Sequence, residues 1–313
     1  MMQLLPRNLN IDFIGKWKIA TVFSLLMISI SFWTWFSLGE SKYDTDFTGG
    51  YDILVRIGGD SDSEMLRSAL AEQGLDGATV VAYERASNEY SVRIGSGDET
   101  KALAIREGVK KAVEKISNSE GQVLKSDFVG PSVGEELRNK ALWATALGII
   151  GLLIYITIRF EFGFALGAVV AVFHDVIIAG GAYLLAGHMI NMSSVAAALT
   201  ILGYSVNDTI VIFDRVREEL RNPKNKDMDL VSLINYCINQ TLSRTIITSL
   251  LTLLSVLALL VFGGGAIKDL AFFMVVGLIS GTYSTVYIAA PVVIAWEWYK
   301  RRKSGVVVSS AAA

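Results

Sequence analysis

Six long apolar stretches divide the chain, and polar segments of very different lengths separate them. A helix needs about 20 mainly apolar residues to cross the hydrocarbon core of a bilayer. The stretches that approach or exceed this length cover residues 19–38, 141–158, 162–186, 189–213, 245–262 and 270–295. The pattern therefore predicts a polytopic α-helical membrane protein with six transmembrane helices.

The polar segment 39–140, between the first and second spans, has shorter patterns of its own. Apolar residues alternate with polar ones in three places, as in a half-buried strand, and a fourth place shows a weaker alternation. These four segments are 53–57, 79–83, 90–94 and 122–129. The segment is therefore long enough, and patterned well enough, for a small domain with a sheet.

Two helices are predicted between these strands. Residues 61–64 form a capping-box pattern before an apolar face, and residues 96–99 repeat the pattern before a second face. The two faces consist of Met65, Leu66, Ala69 and Leu70, and of Ala102, Ile105, Val109, Val113 and Ile116. The order βαββαβ is typical of a ferredoxin-like α+β fold. Such a fold hosts many functions and assigns none by itself.

Basic residues collect in the segments that join alternate spans. They are Arg7, Lys16, Lys18, Arg159, Arg215, Arg217, Arg221, Lys224, Lys226 and the run 300–303, whereas the short loops of the other side hold only Lys268. Cytoplasmic loops carry an excess of Lys and Arg. We therefore expect a cytoplasmic N-terminal segment (1–18), a periplasmic domain (39–140), five further spans (141–296) and a basic cytoplasmic tail (297–313).

Composition changes this picture little. The chain is 52% hydrophobic, and its net charge of −2 hides the separation of acidic and basic segments. Its single cysteine, Cys237, cannot form an intramolecular disulfide. The segment 39–140 contains no nucleophile with a neighbouring base, no phosphate-binding loop and no metal-ligand cluster. We therefore expect no enzymatic activity, no cofactor or metal, and no nucleic-acid partner.

Asp208 is the first candidate for a functional residue. It lies in the fourth span, roughly 8–9 Å inside the cytoplasmic boundary at a rise of about 1.5 Å per residue. A carboxylate at that depth is costly unless it is protonated, paired or hydrated. Arg244, at the start of the fifth span, would lie at a similar depth if its helix begins near Ile238. Gain and loss of a proton by Asp208 would then release and restore an Asp–Arg pair.

The alternative is a static ion pair that fastens two helices, and Arg244 alone also fits a guanidinium that extends to the membrane surface. Asn207 adds a polar group beside Asp208 and favours a helix face that points into the bundle. His174 and Asp175 interrupt the third span and form either a proton relay or an interhelical hydrogen bond. Both alternatives stay open from the sequence.

Several motifs together resemble the SecF family, the smaller membrane subunits of the SecD–SecF accessory to the bacterial Sec protein-export channel. The resemblance covers the chain from about residue 10 to residue 303. The motifs are Asp46-Phe-Thr-Gly-Gly50, Val129-Gly-Pro-Ser-Val-Gly134, His174-Asp175, and the segments 203–218 and 239–249.

The resemblance implies half of a twelve-span unit that SecD completes, similar to the resistance–nodulation–division superfamily, in the bacterial inner membrane. It implies use of the proton-motive force to promote the export or release of polypeptides at the periplasmic side. Implied partners are SecD, the SecYEG channel, YajC, the unfolded polypeptide and the lipid bilayer. The family's proton-linked acid and base match Asp208 and Arg244. Hinge-like joints are implied at Asp46, Gly49, Gly50, Gly130, Pro131 and Gly134.

Two other functions compete with this one. A half-unit of a proton-coupled small-solute exporter would need a large outer domain, and residues 39–140 are few for a substrate chamber. A structural membrane scaffold would need no titrating carboxylate. Replacement of Asp208 by asparagine separates the scaffold from the proton-coupled subunit.

Overall fold

The computed structural model describes residues 11–58, 62–84, 88–95, 101–117 and 121–303. These residues form two compact units. The helical unit comprises the described residues up to Gly39, Thr145–His188, and those from Ser193 onward. The sheet unit comprises Glu40–Ala144 and the short turn Met189–Met192.

A four-stranded antiparallel sheet forms the centre of the sheet unit. Its strands are β1 (Gly50–Arg56), β2 (Thr79–Glu84), β3 (Glu89–Ile94) and β4 (Gln122–Val129), in the spatial order β2-β3-β1-β4. β1 is central: Ile53 pairs with Val92 of β3 on one side and with Ser126 of β4 on the other. The four alternating segments are strands because their apolar residues, such as the fully buried Ile53 and Val92, fill one core.

Two helices, α3 (Ser63–Glu72) and α4 (Ala102–Ile116), pack on this core. With a short turn, α2 (Thr45–Thr48), they give the element order that alternation and capping predict, although the ferredoxin-like assignment itself stays a prediction. The cap of α3 is Asp62, whose carboxylate accepts from the backbone N–H groups of Glu64 and Met65. The prediction that Met65 is buried is wrong, since it is 48% exposed. The second capping pattern, 96–99, lies outside the described residues.

The helical unit contains six helices long and apolar enough to span a membrane among the described residues. They are α1 (Trp17–Ser37), α5 (Pro131–Arg159), α6 (Phe162–Leu185), α7 (Met192–Leu220), α8 (Leu230–Phe262), and α9 (Ala266–Ser284) continued by α10 (Ala290–Lys303). The segment Thr285–Ala289 between α9 and α10 is one π-helical turn. The predicted fold class, a six-span helical membrane protein with a small sheet domain, is confirmed.

Helix α8 begins earlier than the sequence predicts. We expected it near Ile238, but it begins at Leu230, because Asp229 caps it by accepting a 2.8 Å hydrogen bond from the backbone N–H of Ser232. Two asparagines in its first three turns bind residues 11–13: Asn235 accepts from the backbone N–H of Phe13, and Asn239 accepts from that of Ile11. Arg244 therefore lies four turns inside a long helix.

Small residues let the helices approach closely. A Cβ atom on Gly167 of α6 would lie 2.7 Å from the backbone oxygen of Ala289. A Cβ on Gly277 of α9 would collide with the side chain of Ile201 on α7. These contacts fix the packing of α6, α7 and α9, the helices that carry the buried residues Asp175, Asp208 and Ser280.

Candidate proton-coupling site

Asp208 is buried in the helical unit, with 2% of its surface exposed. Its Oδ2 accepts a 3.0 Å hydrogen bond from the hydroxyl of Ser249 on α8. The next residue, Thr209, donates to the backbone oxygen of Ser205, and its hydroxyl lies 3.4 Å from that of Thr285 in the π-helical turn. The carboxyl group thus sits between α7 and α8, away from the chain surface.

Arg244 does not form the direct ion pair that was considered from the sequence. Across the described residues, no ion pair within 4.0 Å joins its guanidinium to Asp208, and its side chain is exposed on the surface of the chain. Arg244 and Ser249 lie on the same helix, roughly 7.5 Å apart along its axis. The structure therefore places acid and base on neighbouring helices, with a serine hydroxyl, not the guanidinium, at the carboxylate.

Two buried hydroxyls near this contact lack partners. Tyr204 lies one helical turn before Asp208, and Thr245 lies one turn before Ser249. Neither the Tyr204 hydroxyl nor the Thr245 hydroxyl has a hydrogen-bond partner within the described part of the chain. Buried polar groups in proteins are normally satisfied by protein or by water. The two helices that hold Asp208 and Ser249 therefore each carry a buried hydroxyl without a partner among the described residues.

Polar residues continue to the surface on both helices. Asn207 does not join Asp208 but is exposed, and it shares one face of α7 with Thr200 and Gly203. Arg244 shares one face of α8 with Ser255. We call these five exposed residues the polar seam. Arginine at the bilayer-facing surface of a span is costly, so Arg244 occupies an exposed position that lipid alone covers poorly.

His174 and Asp175 lie in a closed hydrogen-bond network on α6. Asp175 is completely buried and accepts from three serine hydroxyls. The distances to Ser205, Ser280 and Ser284 are 2.6, 2.7 and 2.7 Å. The fourth partner is His174, whose Nδ1 lies 3.0 Å from Oδ1. The network joins α6, α7 and α9 through one carboxyl group.

The network continues from His174 to α1 through Ser24 and Tyr283. Tyr283 donates its only hydroxyl proton to the backbone oxygen of Ala20 at 2.7 Å, so Ser24 must donate to Tyr283. The Ser24 oxygen then accepts from Nε2 of His174 at 3.1 Å. Through Ser24 and Tyr283 the network therefore extends from α6 to α1.

The motif residues considered as hinges come together in the sheet unit. Gly49 and Gly50 have φ angles of 71° and 125°, and a Cβ on Gly49 would lie 3.1 Å from Cα of Pro131. A Cβ on Gly134 would lie 3.0 Å from the backbone nitrogen of Gly49. Gly130 accepts from the backbone N–H of Gly134 in the first turn of α5. The two motifs thus pack backbone against backbone.

Comparisons with known proteins agree on one family. Residues 108–299 match the family described as protein export membrane protein SecD/SecF, C-terminal. The chain is 38% identical to the protein translocase subunit SecF of Rickettsia felis over 291 residues, which is 93% of each chain. It is 37% identical to the same subunit of Calditerrivibrio nitroreducens over 302 residues, 96% of this chain and 99% of the relative.

The chain belongs to the SecD/SecF family. Its fold matches the crystal structure of SecDF from Thermus thermophilus, a translocon-associated membrane protein, with a TM-score of 0.82 and 36% identity over 94% of this chain. The match spans 40% of that longer chain. The resemblance that the motifs carried is therefore confirmed. Membership makes the chain a multi-pass membrane subunit of protein export, without an enzymatic activity of its own.

Sequence reasoning missed several residues of this SecD/SecF chain. Ser249 lies within a quoted motif, but nothing marked it as the partner of Asp208. Ser205, Ser280 and Ser284 were not assigned to Asp175, although a serine pair at i and i+4 in the sixth apolar stretch was a usable signal. Within the described residues, no group of three His, Cys, Asp or Glu residues could hold a metal ion.

Proposed function

We propose that this SecF-family chain is a proton-coupled accessory subunit of the Sec translocase, which works with SecD to promote export or release of polypeptides at the periplasmic side. The observation that carries the proposal is the buried carboxyl group of Asp208, bound to a serine hydroxyl and not locked to a cation. Moving one charge through 100 mV makes available about 2.3 kcal/mol.

A hydroxyl partner suits a carboxyl group that gains and loses a proton. Ionised Asp208 accepts from Ser249, and protonated Asp208 can donate to the same oxygen, because a hydroxyl both donates and accepts. The contact therefore survives in both protonation states. A direct salt bridge to Arg244 would instead hold Asp208 ionised and fasten α7 to α8. The observed contact thus supports proton coupling over a static pair.

Arg244 gives this titration a mechanical consequence. Its guanidinium lies on the same helix as Ser249 and is not committed to Asp208. Loss of the proton from Asp208 creates a negative charge that attracts Arg244, and gain of the proton removes that attraction. The unpartnered hydroxyls of Tyr204 and Thr245 offer positions where water can carry the proton. We propose Asp175, His174 and Asn207 as weaker contributors.

The polar seam supports SecD as the partner in the membrane. The relative of known structure is a SecDF chain in which the region similar to this chain accounts for 40% of the length. The seam holds an asparagine of α7 and an arginine of α8 at exposed positions, and another helix bundle covers such groups better than lipid does. We propose that SecD covers this seam, and that SecYEG, YajC and the unfolded polypeptide are further partners.

The proposed orientation follows from the charges. Both chain ends are cytoplasmic, the sheet unit is periplasmic, and the membrane is the bacterial inner membrane. The basic ends of the helices support this arrangement, since Arg217 lies in the last turn of α7 and Lys300–Lys303 end α10.

The test measures export of a secreted reporter protein in cells whose only copy of this protein is a variant. Asp208→Asn preserves size and hydrogen bonding but cannot ionise, and we expect export to be severely reduced while SecD still co-purifies. The matched control is Asp214→Asn, an aspartate of the same helix that pairs with Arg159 at the surface. Wild-type export with Asp208→Asn would favour the scaffold function.

A further inference from the structure

The turn between α6 and α7 is part of the sheet unit. Its residues Met189–Met192 cluster with Glu40–Ala144, whereas α6 and the rest of α7, from Ser193 onward, belong to the helical unit. Ile190 forms the contact: its backbone oxygen accepts a 3.0 Å hydrogen bond from Asp44, and its backbone N–H donates to the oxygen of Lys42 at 2.8 Å. Tyr43 and Ile190 form a parallel β-bridge. The turn is thus tied to the segment that enters the sheet.

Asp46 adds a bond to the helix itself. Its Oδ2 accepts a 3.0 Å hydrogen bond from the backbone N–H of Met192, the first residue of α7. The first N–H groups of a helix lack partners within the helix and attract carboxylates. Here the carboxylate comes from a residue 146 positions earlier in the chain. Asp46 therefore caps the helix that carries Asp208.

The same segment is fixed to the sheet and to the start of α5. Arg93 of β3 donates to Asp44 at 3.1 Å and contacts the sulfur of Met189 at 2.5 Å. Gly49 follows Asp46 and packs against Pro131 and Gly134 at the start of α5. Residues 44–50 are therefore a joint that touches β3, α5 and the start of α7 within the sheet unit.

We propose that Asp46 is the coupling residue through which a displacement of α7 passes to the sheet unit. This inference rests on the proposed function, since the displacement starts at Asp208. Met192 and Asp208 lie on one helix, roughly 24 Å apart along its axis, and a packed helix transmits an axial shift as a rigid element. A joint bonded to the first turn of α7 must follow that shift or break its bond.

Two variants remove the same hydrogen bond from opposite sides. Asp46→Ala deletes the acceptor, and Met192→Pro deletes the donor at the first helical position, where proline is tolerated. Asp46→Asn keeps an oxygen acceptor and serves as the conservative rescue. The matched control is Asp127→Ala, which removes an exposed carboxylate of β4 that contacts only Lys125 among the described residues.

The measurement uses vesicles that contain the full chain with SecD and the SecYEG channel, and it records proton flux and gradient-dependent export together. In Asp46→Ala and Met192→Pro we expect near wild-type proton flux. The increment, which is the increase in export that the proton gradient adds, should fall to about a tenth of its wild-type size, because this is the change expected for the loss of one charge-assisted hydrogen bond. The double variant should be no worse than either single one, and Asp46→Asn should retain most of the increment.

Three results overturn the proposal. Wild-type export in both single variants shows that the bond transmits nothing, and equal loss of flux and export shows a structural role only. Additive losses in the double variant show that the two residues act separately. Asp208→Asn in the same vesicles distinguishes failure of the proposed function from failure of the inference about Asp46. If Asp208→Asn retains the gradient-dependent increase in export, the proposed function fails. If Asp208→Asn loses this increase while Asp46→Ala retains it, only the inference about Asp46 fails.

Discussion

The hydroxyl of Ser249 donates a 3.0 Å hydrogen bond to the carboxylate of Asp208. If this contact supports Asp208 in both protonation states, Ser249→Ala leaves a buried carboxyl group without a protein partner and costs about 1–3 kcal/mol. We expect reduced export and a lower midpoint of thermal unfolding in detergent. Ser249→Thr keeps the hydroxyl and should restore both. Thr252→Val is the control, because it removes a hydroxyl of the same helix that donates to the backbone oxygen of Thr248, and it should match wild type.

Unlike Ser249→Ala, replacement of Arg244 should reduce export without reducing the stability of the chain. Its side chain is exposed and makes no ion pair with another described residue, so Arg244→Met should change the unfolding free energy of the isolated chain by no more than about 0.5 kcal/mol. Export should nevertheless be lost, because the cation that responds to Asp208 is gone. A large loss of stability with intact export would show that Arg244 is only structural.

Asp175 should contribute mainly to the folding stability of the chain. Asp175→Asn replaces a carboxylate that accepts from His174 and three serines by an amide with a single acceptor oxygen. Breaking a buried pair of this kind costs about 3–5 kcal/mol. We expect a clearly lower unfolding midpoint in detergent, measured by tryptophan fluorescence. An unchanged midpoint would contradict the closed network.

The sheet unit should respond to pH through Asp44. Burial raises the pKa of Asp44 above its usual value of 3.8, and the nearby charge of Arg93 opposes this only in part. A raised pKa in the folded state means that the protonated form contributes stability at low pH, and that this contribution is lost as pH rises through the folded-state pKa.

Comparison with Asp44→Asn isolates this contribution, since asparagine does not titrate. We expect the stability of wild type relative to the variant to fall as pH rises from about the usual carboxyl pKa toward neutrality. Hydrogen exchange of the β3 amides in the full chain measures it. A relative stability that rises over this interval would mean that the Arg93 pair dominates.

The architecture was largely predictable because each element carries its own pattern. Apolar runs of about 20 residues mark spans whatever they pack against, and alternation marks β1 and β3 because one face of each is buried. The start of α8 was not predictable from hydropathy, since polar residues at 239–241 separate its apolar first turns from the span and its start depends on the Asp229 cap and on contacts with Ile11 and Phe13.

Within the candidate site, only the residues whose burial in a membrane span costs free energy were predictable from the sequence. Asp208 and Asp175 stand out because a carboxylate in an apolar span needs a compensating partner. Serine gives no such signal, because its hydroxyl can bond to its own helix, as Ser255 does with the backbone oxygen of Leu251. Whether Ser249 turns to its own backbone or to Asp208 depends on tertiary packing. The contact of Asp46 with Met192 joins residues too distant in sequence for any local pattern.

Whether export draws on proton transfer at Asp208 is measured by the increase in export that an imposed proton gradient adds. The measurement compares wild type with Asp208→Asn in vesicles holding SecD and the SecYEG channel, with and without the gradient. The account predicts equal export without the gradient and an increment in wild type only. An increment of wild-type size in Asp208→Asn would contradict it.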